Sequence, residues 1–244
     1  MSRILITGST DGLGHATAEA LFGAGHQVIV HARNPERAAA VSALTARGAD
    51  LVIADLSDRH AVLDAADELN TGSPIDAVIH NAGVISGRSV LPVNVVAPYL
   101  FTALLRTPTR HVYLSSGMHR GGRTNLKGLD WDGRRSTASY SDSKLFVTAL
   151  TMVVADRWAP HVLANAVDPG WVPTKMGGAG APDDFDLGHQ TQERLATDPQ
   201  LHITGGYWYH GAQQQPARSV NDPEFHEQLL FALADATGVA LPAR

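Results

Sequence analysis

Short apolar runs alternate with longer amphipathic stretches along almost the whole chain. Ile4-Leu5-Ile6, Val28-Ile29-Val30, Leu51-Val52-Ile53-Ala54, Ala77-Val78-Ile79-His80, His111-Val112-Tyr113-Leu114 and the run 162–167 each read as a strand. Continuous apolar runs of this length suit strands covered on both faces, as in a parallel sheet. Between them the spacing predicts helices over 15–24, 35–46, 58–70, 93–106 and 139–158. Gly25 stops the first, Pro35 opens the second, Pro98 bends or enters the fourth, and Pro160 follows the fifth. The remainder predicts one or two short helices within 183–197, a last strand at 205–209, and a helix over 223–236 capped by Asp222. Repeated strand–helix units return the chain to one sheet through right-handed crossovers. The expected fold class is therefore α/β, a doubly wound parallel sheet of about seven strands flanked by helices. With no repeat and no linker, residues 1–244 read as a single domain.

The first unit carries Thr7-Gly8-Ser9-Thr10-Asp11-Gly12-Leu13-Gly14 between strand and helix. Glycines there permit a tight turn and let backbone N–H groups approach a pyrophosphate at a helix N-terminus. The spacing is G-x-x-x-G-x-G rather than G-x-G-x-x-G, and the strand–turn–helix–strand context predicts a nucleotide site. Ligands of open α/β sheets bind beyond the carboxyl ends of the strands. Asp55, Asn81, Ser115-Ser116 and Asp168-Pro169-Gly170 all stand at such ends.

Tyr140 and Lys144 open the helix after the fifth strand, four residues apart on one face. A cation near a phenol favours the phenolate, lowers its pKa and suits it to proton exchange near neutral pH. The same spacing also occurs in ordinary surface pairs; the strand-end edge is what singles this pair out.

Composition narrows the classes. A chain of 244 residues, 44% hydrophobic and 18% charged, can build a substantial core. A net charge of −5 argues against sequence-independent binding to nucleic acid. The absence of cysteine excludes disulfides, thiol nucleophiles and thiolate metal sites, and suits a cytoplasmic protein. Met1-Ser2-Arg3 shows no secretory signal, and the longest nearly apolar run, 145–155, is shorter than the ~18 residues a membrane span needs. The twelve histidines lack metal spacing: His226-Glu227-Gln228-Leu229-Leu230 has no second histidine, so no metal is expected.

Taken in order, Thr7-Gly8-x-x-x-Gly12-x-Gly14, Asn81-Ala82-Gly83, Ser116 upstream of Tyr140-x-x-x-Lys144, and Pro169-Gly170 resemble the short-chain dehydrogenase/reductase family, from residue 4 to about 238. The resemblance implies a Rossmann fold holding NAD(P). By similarity, Gly8, Ser9, Gly12 and Leu13 line the pyrophosphate, and Asp55 and Leu56 meet the adenine. Asn81, Ala82 and Gly83 follow the adenosine ribose, and Pro169, Gly170, Val172 and Thr174 border the nicotinamide. At the end of the second strand, Ala32 occupies the place of an acid common in NAD-preferring relatives, and Arg33 and Asn34 follow. A guanidinium suits a 2′-phosphate, so NADP(H) is expected over NAD(H). Asp11 counts against this, because many NADP relatives carry Arg, Lys or Ser in that turn.

The implied chemistry is hydride transfer between the nicotinamide and a carbonyl or alcohol carbon. Tyr140 would move the proton, Lys144 lower the Tyr140 pKa, Ser116 bind the oxyanion, and Asn94 position a water beside the lysine. Ser115 is the rival for the serine role, and a helix-capping role is the rival for Asn94. Trp171, Met176, Phe185 and Leu187, with Tyr207 to Tyr209, point to a lid at about 171–200 and an apolar or aromatic substrate, unless they pack the core. The long loop 117–137 carries Ser-Ser-x-x-His and resembles the retinol-dehydrogenase-like and protochlorophyllide-reductase-like branches. His119 there either reaches the substrate or lies on the surface. From Leu145 to Ala155 the helix over 139–158 is apolar around most of its circumference. The resemblance implies a dimer or tetramer through the Tyr140–Trp158 helix, or a monomer if the preceding loop covers it. The alternative function is a cofactor-binding regulator or scaffold without turnover, which the intact Tyr–Lys pair argues against. An epimerase or dehydratase would need a larger C-terminal substrate domain.

Overall fold

A computed structural model describes residues 1–243. One eight-stranded sheet runs in the order β3-β2-β1-β4-β5-β6-β7-β8. The strands are β1 (Arg3–Ile6), β2 (Gln27–Ala32), β3 (Asp50–Ile53), β4 (Ala77–His80), β5 (Arg110–Leu114), β6 (Leu163–Asp168), β7 (Gly206–Tyr209) and β8 (Ala212–Gln214). All neighbours pair in parallel except β7 and β8.

The eighth strand corrects the expected count of about seven. It arises from a two-residue hairpin in which His210 and Gly211 both take positive φ, 45° and 79°. That geometry matches the twist of the flanking strands. Ala212-Gln213-Gln214 is exposed throughout and so carries no apolar signal.

Alternation along β1 divides the core. Leu5 packs into the layer holding α4 (Arg59–Thr71), α5 (Ala97–Leu104) and α6 (Tyr140–Trp158). Ile4 and Ile6 face the opposite layer, with α1 (Gly12–Gly23) and α7 (Phe185–Thr197). The predicted helix over 35–46 is broken into α2 (Pro35–Ala38), a 3-10 turn (Ala39–Val41) and α3 (Ser42–Ala46), with Val41 and Leu44 fully buried. The predicted helix over 93–106 begins as a π-turn, Pro92–Val96, before α5.

Helix α6 starts at a capping box: Ser139 Oγ accepts from the Asp142 N–H, and the Asp142 side chain accepts from the Ser139 N–H. Its residues from Asp142 to Ala155 are all buried within one chain. The covering comes from the loop ahead of it and from α8 (Pro223–Thr237). Phe146 meets Trp131 and Phe225, with ring centroids 5.9 Å apart in both pairs. The C-terminal segment is pinned alongside, where Trp158 Nε1 donates to the Pro242 carbonyl at 2.9 Å and the Tyr99 hydroxyl donates to the Val239 carbonyl at 2.6 Å. The face expected to meet another subunit is thus occupied by the chain itself. Among the described residues, no helix is long and apolar enough to cross a membrane.

The strand order reverses between β1 and β4, and a crevice opens at their carboxyl ends, where such folds bind ligands. The glycine-rich turn lies in that crevice.

Candidate active site

The turn after β1 is built for close approach. Gly8 has φ +68°, and a Cβ there would lie 2.9 Å from Ala82 Cα. A Cβ on Gly14 would overlap the Gly8 carbonyl and Asn81 Nδ2. Asn81 Nδ2 donates to the Thr7 carbonyl at 2.9 Å, and the Ala82 N–H donates to Thr7 Oγ1 at 3.0 Å. Buried His31 supports the turn from β2: its Nδ1 accepts from the Gly8 N–H at 2.9 Å, while Nε2–H donates to the Ala54 carbonyl at 2.9 Å. Burial holds the His31 pKa below its usual value, in keeping with a neutral ring.

A cleft of about 490 Å³ runs from this turn to the catalytic candidates. Gly8, Asp11, Gly12 and Leu13 line one side, with Asp55 and Leu56 at the foot of β3. Asn81, Ala82 and Gly83 form the floor, and Pro169 and Thr174 close the far side. Arg33 stands at one end, Tyr140 and Lys144 at the other. An elongated groove with side-chain-free glycines on one wall, a guanidinium at one end and a phenol at the other fits a nicotinamide dinucleotide.

Several expected contacts lie elsewhere. Ser9 is fully buried and turned inward, donating to the Ile6 carbonyl at 2.5 Å and accepting from the His31 N–H at 2.8 Å, so it ties the turn rather than lining the groove. Asn34 Oδ1 caps α2 by accepting from the Arg37 N–H at 2.9 Å. Val172 is buried, with Gly188 against its side chain. Gly170 takes φ +82° beside Asp183 and His210, outside the cleft wall.

Sequence reasoning missed Arg37 and Lys175, both of which line the cleft. Arg37 Nη2 donates to Thr10 Oγ1 at 3.2 Å, and Lys175 Nζ pairs with Asp11 at 2.5 Å. A cap at Asn34 places Arg37 in the first turn of α2, which was the available signal for it. Lys175 follows Thr174 with no motif to mark it.

At the far end, Lys144 Nζ sits 5.4 Å from the Tyr140 ring centroid and donates to the Leu114 carbonyl at 2.6 Å. Burial pulls the Lys144 pKa down to about 8, against an opposing pull from the Asp168 carboxylate. Burial also pushes the Tyr140 pKa up to about 12; a hydrogen bond with Ser116 lowers it and the Asp168 charge raises it. The phenol was expected to be lowered toward neutrality by Lys144. Desolvation instead dominates and raises it, which favours the protonated phenol.

The two serines have different partners, and Ser115 is the one that lines the cleft. Ser115 Oγ shares a 2.6 Å hydrogen bond with Thr148 Oγ1 and is buried, whereas Ser116 is the one bonded to Tyr140. Asn94 lies in the π-turn and caps no helix. Its Oδ1 accepts from the Val84 N–H, and its Nδ2 donates to the Val84 carbonyl and to Ser143 Oγ, each at 2.9 Å. It therefore clamps the loop after β4 against α6, beside Lys144.

His119 is neither a surface residue nor free to reach a substrate. It is fully buried, its Nδ1–H donates to the Ser116 carbonyl at 2.7 Å, and its Nε2 accepts from the Ala217 N–H at 2.9 Å. Its ring lies 4.8 Å from that of Tyr207. Burial first of all holds His119 below its ordinary pKa.

Of the large side chains after Pro169-Gly170, Tyr207 and Trp208 pack in the core, while Trp171, Met176 and Leu187 are exposed and Met176 lines the cleft. Trp171 Nε1 donates to the Gly177 carbonyl at 2.7 Å, which folds the loop back on itself.

The short chain dehydrogenase family profile matches residues 2–104. The chain is 38% identical to the short-chain dehydrogenase chry4 of Gibberella zeae and 36% identical to the short-chain dehydrogenase chyC of Penicillium rubens, covering the full length of both partners in each case. Its fold superimposes on an uncharacterized protein from Mycobacterium paratuberculosis with a TM-score of 0.83 and 26% identity, covering 99% of this chain and 95% of that one. The ordered motifs, the doubly wound sheet and these full-length similarities place the chain in the short-chain dehydrogenase/reductase family of oxidoreductases.

Proposed function

We propose that this protein is an NADP(H)-dependent carbonyl reductase or alcohol dehydrogenase acting on an apolar or aromatic ketone, aldehyde or secondary alcohol. The observation that carries the reading is the meeting of Tyr140 and Lys144 at one end of a cleft that also holds Arg33 and Arg37, with Ser116 hydrogen-bonded to Tyr140. A nicotinamide cofactor held in the cleft would supply or accept the hydride. The residues of this chain do the rest. Tyr140 Oη gives its proton to the substrate oxygen as that oxygen gains charge, and takes it back in alcohol oxidation. Ser116 Oγ–H stabilises the same oxygen by hydrogen bonding, which is strongest when charge has developed. The Lys144 ammonium steadies the phenolate that remains, and Asn94 fixes the loop beside Lys144. Residues 171–200 act as the substrate lid, with Trp171, Met176 and Leu187 offering apolar surface.

A cofactor-binding regulator without turnover has the fold in its favour, but the intact, buried Tyr140–Lys144 pair speaks for an enzyme. A monomer in the cytoplasm is the arrangement we favour, since α6 is already covered and the chain has no cysteine.

Fluorescence titration with NADPH and NADH, followed by a panel of carbonyl and alcohol substrates, tests the proposal. Tighter NADPH binding and turnover of apolar carbonyls are expected. Tighter NADH binding would remove the cofactor assignment, and tight binding with no turnover across the panel would restore the regulator.

A further inference from the structure

Asp11 poses a problem for a phosphate-bearing cofactor. It lies in the glycine-rich turn, lines the cleft with Arg33 and Arg37, and as a carboxylate would repel a 2′-phosphate. The structure shows what occupies it. Its Oδ1 accepts from the Gly12 N–H at 2.8 Å and so caps α1. Its Oδ2 lies 2.5 Å from Lys175 Nζ and 3.5 Å from Arg37 Nη2. Lys175 arrives from the segment after β6, which rests directly on the turn: the Thr174 γ-methyl is 3.4 Å from where a Gly12 Cβ would stand. These partners, Lys175 foremost, hold the Asp11 carboxyl below its ordinary pKa.

We infer that Lys175 is a specificity-determining residue, which neutralises Asp11 from across the cleft and leaves Arg33 and Arg37 to face the 2′-phosphate of the cofactor. The inference rests on the NADP(H) reading. The competing view is a plain surface ion pair, since the Lys175 side chain is 77% exposed. Such pairs contribute little to folding stability. Their effect on a neighbouring dianion is a separate matter, because the unpaired carboxylate would act on it directly at short range.

The test uses three variants of the full chain: Lys175→Gln, Asp11→Asn and the double variant. Asn keeps an oxygen to cap α1, and Lys175 is exposed, so thermal melting should stay close to wild type in all three. NADPH and NADH dissociation constants are measured by nucleotide fluorescence at low and high salt. Lys175→Gln should weaken NADPH about three- to tenfold at low salt and leave NADH within about twofold, with the difference shrinking at high salt. Asp11→Asn should not weaken NADPH. The double variant should bind NADPH as Asp11→Asn does, because there is no longer a charge to cancel. An unchanged Lys175→Gln variant would overturn the inference. So would a double variant as weak as Lys175→Gln, which would show Lys175 acting on the cofactor itself. A wild-type preference for NADH sinks the NADP(H) reading instead, and the 11–175 coupling is then still decided by the NADPH arm of the same titrations.

Discussion

The Tyr207 hydroxyl donates to Asp168 Oδ2 at 2.9 Å, and this clamps a carboxylate beside the catalytic candidates. The Gly170 N–H holds the other oxygen at 3.0 Å. Asp168 raises the pKa of both Lys144 and Tyr140. Lys144, at about 8, is the first of the two to lose its proton as pH rises. The reduction rate should therefore fall on the alkaline side with an apparent pKa near 8. Asp168→Asn lowers both groups, so that limb should move to lower pH. A kcat–pH profile of wild type and variant checks this; an unmoved alkaline limb would remove Asp168 from the electrostatics of the site.

Tyr140→Phe deletes only the hydroxyl. Proton donation by a positioned side chain is worth about 10²–10⁴ in rate. Turnover should fall by that order while NADPH binding changes little, and the ring should keep its packing on α6. Single-turnover rates alongside fluorescence titration separate the two effects. A variant that keeps full activity would place the proton donor elsewhere.

His119 offers a graded experiment, because Asn imitates its Nδ1 and Gln its Nε2. The bond to the Ser116 carbonyl comes from Nδ1–H, and the bond from the Ala217 N–H is received at Nε2. If the ring positions Ser116, His119→Asn should retain more kcat than His119→Gln, although each loses one buried hydrogen bond costing about 1–2 kcal/mol. Equal kcat values in the two variants would assign His119 to folding alone.

Asp142 carries a stability prediction with a defined sign. Burial alone would raise its carboxyl, but the Arg123 side chain, the backbone N–H groups of Ser139 and Arg123 and the Ser139 hydroxyl together bring it down to about 2. A carboxyl depressed in the folded state stabilises above its unfolded pKa, and that contribution is lost as pH falls through the folded value. Arg123 is exposed, so the pair is screened, and about 1–2 kcal/mol is expected. Asp142→Asn should be less stable than wild type at pH 7 by that amount. The gap should close between about pH 4 and 2. Urea unfolding across this range gives the measurement.

Much of this was legible before the structure. The seven parallel strands are legible because most of them carry short runs of apolar residues. The glycine turn is legible because positive φ and close approach leave few residue types that fit. Tyr140, Lys144 and Ser116 are found by order along the chain. What stayed hidden is what only packing creates. Ala212-Gln213-Gln214 pairs as an exposed edge and has no pattern. Lys175 meets Asp11 from a segment far away in sequence. A spacing of four places a cation near a phenol, yet says nothing of the desolvation that carries Tyr140 upward instead of down. His119 looked like a loop residue because the covering segment around Ala217 comes from the other end of the chain.

The helix that presents Tyr140 and Lys144 is enclosed on every side by its own chain from Asp142 to Ala155. Local opening of a protein proceeds most easily where few apolar contacts must be broken. Backbone amides along this helix should then exchange with deuterium only through global unfolding, among the slowest in the molecule. Heat inactivation and loss of tertiary structure should coincide, with no cooler step in which the catalytic groups come loose while the rest of the sheet endures.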